Sequence, residues 1–151
     1  MIKLDTAKKL KAAGLAWQPA LLDFFAIPDR SMDEKVFVIS DMLVTVDILQ
    51  GMQVVSFQGA SEWALDSLVT NETVWLPDES QLRQALEAAL LGEGRPEFQL
   101  AGGLGGCRLT IHFHGQALVF EDADASEAYA AALLYCLEKS PPPASMWPIE
   151  G

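Results

Sequence analysis

The residues here best suited to chemistry are His112 and His114, the only two histidines in the chain. Their spacing of two places both on one face of an extended segment, away from Ile111 and Phe113, and neutral imidazoles so arranged can begin a metal site. A two-residue turn at Gly115-Gln116 would pair Phe113 with Leu118 and Ile111 with Phe120. Glu121 would then lie opposite Thr110 and diagonal to His112. A metal site of His112, His114 and Glu121 is therefore the sharpest chemical expectation. Its rival is two polar residues on the solvent side of a strand.

Other chemistry is weaker. Gly102-Gly103-Leu104-Gly105-Gly106 lacks the Gly-Lys-Ser/Thr of a P-loop and precedes a strand rather than a helix, so it reads as a hairpin connection. A serine nucleophile has no Gly-x-Ser-x-Gly elbow, and either histidine would need both a serine and an orienting carboxylate brought to it by the fold. The run Glu121 to Glu127 resembles a calcium loop, yet it has Glu127 where the sixth position needs glycine and Leu133 where the twelfth needs a bidentate glutamate. Its acids suit the positive end of a following helix. Cys107 and Cys136 have no CxxC spacing and read as reduced core thiols. No catalytic residue and no cofactor is assigned.

Strands and helices must position these groups. Asp5 or Thr6 can cap a first helix that Gly14 ends. Leu21 to Ile27 and Lys35 to Ser40 read as two strands, and Leu43 to Leu49 with Met52 to Phe57 as a hairpin pairing Val46 with Val55. Ser61 can cap a short helix through Leu68. Beyond Trp75-Leu76-Pro77, Asp78 and Gln81 form a capping-box start, Leu82, Leu86 and Leu90 make a helical stripe, and Gly92 is the expected stop. Strands follow near Glu97 to Ala101, Cys107 to His114 and Ala117 to Glu121. A helix from Ala125 to Lys139 closes the pattern, capped by Asp124 and Glu127, with Tyr129, Ala132, Leu133, Cys136 and Leu137 along one stripe. The fold class is α+β: antiparallel sheets from N-terminal hairpins and a C-terminal βββα unit, packed against two or three amphipathic helices. Residues 1–140 read as one domain and 141–151 as a proline-rich tail.

The 151 residues are 50% apolar, enough for one substantial core without disulfides or metals. No apolar run is long enough to span a membrane and the N-terminus lacks a signal peptide's apolar stretch, so the expected location is cytoplasmic, with no membrane partner. The net charge of −11, with 4 basic and 11 acidic residues after Pro77, argues against nucleic acid as a partner, because phosphate-backbone affinity comes from Lys and Arg. The αβββα order of the C-terminal half matches that of double-stranded-RNA-binding domains, but it has no lysine cluster at the start of its last helix. Lys3, Lys8, Lys9 and Lys11 read as a solvated face. Four tryptophans offer aromatic anchors; Trp63 and Trp75 suit the core, whereas Trp17 and Trp147 are the candidate interaction residues.

Residues 33–42 (Asp33-Glu34-Lys35-Val36-Phe37-Val38-Ile39-Ser40-Asp41-Met42), Ser61-Glu62-Trp63-Ala64-Leu65-Asp66-Ser67 and Trp75-Leu76-Pro77 with its helix resemble a family of small bacterial proteins of unknown function. Some members carry the label "pilus assembly protein", and more distant relatives occur in phage and mobile-element genomes. The resemblance spans roughly residues 5 to 138 and implies no catalytic residue. The larger protein that usually bears that label is related to P-loop ATPases; this chain has no nucleotide-binding loop, so no ATPase activity is implied. The leading expectation is an accessory or protein-interaction domain, self-associating or bound to another protein through a sheet edge or its aromatics. The alternative is a metal-binding protein or metal-dependent enzyme.

Overall fold

The structure, a computed structural model, describes residues 1–28, 35–40 and 73–140, and nine elements lie among these described residues. They are α1 (Leu4–Ala12), β1 (Phe24–Ala26), β2 (Phe37–Val38), β3 (Val74–Trp75), α2 (Glu79–Leu91), β4 (Phe98–Gly103), β5 (Gly106–Phe113), β6 (Gln116–Asp122) and α3 (Ala125–Lys139). The class is α+β, and the described strands form two three-stranded antiparallel sheets. The hairpin expected over residues 43–57, the helix over 61–68 and the tail from 141, Trp147 included, lie outside the described residues. Contacts divide the chain into two compact units, one of Met1–Trp17 with the described chain from Leu76, the other within Gln18–Trp75.

In the smaller unit β1 is central, between β2 and β3. Phe25 pairs with Phe37 and the two rings stack at 5.4 Å. The backbone continues the pairing past β2, Leu22 donating to Ile39 O and Ile39 to Asp23 O. Strand β3 comes from Val74-Trp75, read from sequence only as a lead-in to the helix; two residues carry too little periodicity to show a strand. It pairs with β1 through Phe25↔Trp75 and Ala26↔Val74.

The larger unit is organised by α3. This helix packs on β5 and β6, against α2 and against α1. It is alanine-rich, so neighbouring backbones can approach it closely, and Ala128, Tyr129, Ala130, Ala132, Leu133 and Cys136 are all buried. From α2 come Leu82, Leu86 and Leu90, spaced by four and fully buried. From β5 come Leu109, Ile111 and Phe113 at alternate positions. Tyr129 meets Phe98 edge-on, and Tyr135 meets Phe113 and Phe120.

The helix ends show what fixes the boundaries. Asp78 and Gln81 form the reciprocal capping box at 2.8 and 2.9 Å. Gly92 keeps right-handed geometry, and the left-handed residue that turns the chain is Gly94 at φ 81°. Asp124 accepts from Ser126 N at 2.9 Å and starts α3. The first helix differs from expectation: neither Asp5 nor Thr6 is its N-cap. Lys3 holds that position without a side-chain cap of its own, and Glu127 of α3 accepts from Lys3 N at 2.7 Å and Thr6 Oγ1 at 2.8 Å. Gly14 is left-handed, φ 102°, just beyond the helix.

Candidate functional site

The β5–β6 hairpin decides where the histidines go. Its register is Phe113↔Gln116, Ile111↔Leu118 and Arg108↔Glu121, with His114-Gly115 as the two-residue turn. That is two residues away from the pairing expected of a Gly115-Gln116 turn. The difference is local: a Gly115-Gln116 turn needs positive φ only at its glycine, whereas here His114 (54°) and Gly115 (76°) both adopt positive φ, as a type I′ turn requires. Because the slip is even, every side chain keeps its face. The expected neighbours nonetheless separate.

Glu121 therefore stands opposite Arg108, not Thr110, and the two form an exposed ion pair, Nη2 to Oε2 3.1 Å. Arg108 lies four residues from His112, roughly 13 Å along a strand. His112 is half-buried opposite Ala117. His114 has left the strand for the turn. The three expected ligands are not brought together, and among the described residues no group of three or more His, Cys, Asp or Glu side chains is arranged to hold a metal ion.

His114 instead gathers partners that sequence spacing gave no sign of. Its Nε2 is 3.3 Å from Glu93 Oε1, just past the C-terminus of α2, and 3.3 Å from Ser140 Oγ at the C-cap of α3. Its ring stacks on Phe113, centroids 4.2 Å apart. A serine, a histidine and a glutamate thus meet, the constellation that nucleophilic catalysis would require. Its geometry is wrong for a relay: the carboxylate of a triad orients one ring nitrogen while the other takes the serine proton, and here both partners address Nε2. A single nitrogen cannot hold Glu93 through its hydrogen and accept from Ser140 at once. The cluster ties together the hairpin tip and the ends of two helices.

The glycine run is mostly strand. Gly102 and Gly103 end β4, Gly106 begins β5, and only Leu104-Gly105 turn. Gly106, at φ 115°, lies so close to the β6–α3 junction that an added Cβ would sit 2.7 Å from Asp122 O. Its conformation serves this close packing, and the glycine run opens a strand rather than a helix.

Both cysteines are free. Burial, with the Glu93 charge adding, pushes the Cys136 thiol up to about 11. Burial likewise raises Tyr129, with Glu79 and Glu87 adding to the effect and Arg83 opposing it. Trp17 is half-buried.

The two outer strands of the larger sheet differ. Among the described residues the strand order is β4-β5-β6, so β4 and β6 are the outer strands of this sheet. β6 carries Glu121 and Asp122. β4, Phe-Gln-Leu-Ala-Gly-Gly, has no charge and no proline, and is exposed from Gln99 to Gly103. Beside it Leu100 is 38% exposed, and Leu104 at the turn is fully exposed. Among the described residues, no helix is long and apolar enough to cross a membrane. No family model, curated protein or solved structure matches the chain.

Proposed function

We propose that this chain is an accessory protein-interaction domain that engages another polypeptide through the β4 edge of its larger sheet. The observation that supports this reading is the contrast between the two edges. Natural sheets guard exposed edges with charge, proline or bulges, because unpaired N–H and C=O groups recruit further strands. β6 is guarded by two carboxylates; β4 has six residues and none of these devices. Leu100 and Leu104 add apolar surface along the same strand and its turn. The αβββα body behind it, closed by buried leucines, supplies a rigid platform for pairing.

Site-specific photo-crosslinking in the native host tests this. A benzoylphenylalanine at Leu100 is expected to give one discrete adduct, and the same group at Val119, exposed on the outer face of β6, is expected to give none. An adduct pattern identical at both positions, or no adduct from Leu100, would remove the reading.

A further inference from the structure

The Glu93–His114–Ser140 cluster is poorly served by hydrogen bonding alone. Glu93 Oε1 and Ser140 Oγ each lie 3.3 Å from His114 Nε2, longer than the roughly 2.7–2.9 Å of a charge-assisted bond. The two contacts also compete for one ring position. Nε2 donates to the carboxylate only with its hydrogen in place, and then offers the serine no more than a share of it.

One occupant satisfies all three atoms at once. A tetrahedral divalent ion bonded to nitrogen and oxygen at about 2.0–2.1 Å holds neighbouring ligand atoms about 3.3 Å apart. The imidazole then turns the Nε2 lone pair toward the ion and keeps its hydrogen on Nδ1. Histidine and carboxylate are ligands that zinc and its neighbours in the first transition row accept together. A serine hydroxyl is weaker, so the set falls short of three strong ligands and its affinity is modest.

Each ligand sits on backbone that is already fixed. Glu93 follows α2 in a turn where its N–H and that of Arg95 both reach Leu90 O, at 2.9 and 3.3 Å, with Gly94 left-handed between them. His114 occupies the β5–β6 turn with its ring stacked on Phe113. Ser140 closes α3, its N–H 2.9 Å from Cys136 O. The His114 and Glu93 side chains are 50% and 29% exposed, so an ion reaches them from solvent. Two cations adjoin the ligands in sequence and oppose a bound ion: Arg95, which is exposed, and Lys139, whose Nζ lies 5.5 Å from the Tyr135 ring centre. The ligand bonds must outweigh that repulsion, which favours a strongly ligating transition ion over Mg²⁺ or Ca²⁺.

The geometry points to a surface site for a divalent transition ion of the zinc class, held by His114 Nε2 and Glu93 Oε1, with Ser140 Oγ at a third corner and water at the fourth. It is separate from the set of His112, His114 and Glu121 that the fold disperses. A bound ion clamps the β5–β6 turn to the C-terminal ends of both helices.

Calorimetric titration of the chelator-treated full chain with Zn²⁺, alongside thermal unfolding, tests this. One equivalent is expected to bind in the micromolar range and to raise the unfolding temperature, with no response to Mg²⁺. Glu93→Gln, which keeps the side chain's size and its capacity to hydrogen-bond an imidazole, should weaken binding at least tenfold. His114→Asn, which the turn tolerates, should do the same. Ser140→Ala should weaken it less, and His112→Asn not at all. Far-UV circular dichroism reports whether each variant is folded. No binding by the wild-type chain, or undiminished binding by Glu93→Gln and His114→Asn, would overturn the site. Binding lost in Cys107→Ala but kept in those two variants would place the ion on a thiol and overturn it as well.

Discussion

Glu127 in the first turn of α3 accepts the backbone N–H of Lys3 at 2.7 Å, so the last helix of the chain caps the first. It fills the role that a glutamate or glutamine three residues into a helix plays in a capping box. Thr6, which occupies that position in α1, donates its hydroxyl to the same carboxylate at 2.8 Å. Local helix formation and tertiary docking are one event here. Glu127→Ala is expected to destabilise the fold by about 1 kcal/mol, with Thr6→Ala costing less and the double variant costing less than the sum. Urea unfolding gives the energies, and hydrogen exchange should show lost protection confined mainly to α1.

At the β5–β6 turn, His114→Asn and His114→Val should separate backbone from side-chain effects. Asparagine tolerates φ 54°, so that variant keeps the backbone and loses the side-chain contacts to Glu93 and Ser140 and the stacking on Phe113. A β-branched valine adds strain, of order 1–3 kcal/mol. Thermal unfolding should rank wild type above asparagine and asparagine well above valine; equal losses would contradict the turn assignment.

Gly106 and Gly105 form a matched pair at the other hairpin. A Cβ on Gly106 meets Asp122 O at 2.7 Å in a left-handed conformation, whereas one on Gly105 meets nothing within 4 Å. Gly106→Ala should cost more than about 2 kcal/mol and shift β6 relative to α3, while Gly105→Ala stays within about 0.5 kcal/mol of wild type. Chemical denaturation of the two variants checks this directly.

Alkaline conditions should loosen the core through Cys136. Its folded-state thiol is raised to about 11 from an ordinary value near 9. The stabilisation from keeping it neutral is therefore complete below about pH 9 and is lost as pH rises through 11, because the unfolded chain releases that proton first. Stability measured from pH 8 to 11 should fall, and fall less steeply in Cys136→Ala. The half-buried Cys107 should react with a thiol reagent at pH 8 well before Cys136 does.

Much of the local architecture was legible because it depends on near neighbours. The Asp78–Gln81 box, the four-residue spacing of Leu82, Leu86 and Leu90, the alternation of Leu109, Ile111 and Phe113, and the Asp124 cap all act within one or two turns of helix or along one strand. They specified α2, β5 and α3 and the α+β class.

Tertiary structure decided which side chains meet. The β5–β6 register turned on whether a histidine would accept positive φ, a choice that moved Glu121 from the neighbourhood of His112 to Arg108. Glu93, His114 and Ser140 converge from three elements, and Glu127 reaches across 124 residues to Lys3. Periodicity records which face of an element is apolar; it carries no information about which other element arrives there, because that is settled by packing between segments distant in the chain. For the same reason β4 read from sequence as one strand among three, and only the tertiary structure placed it, among the described residues, at the margin of the sheet.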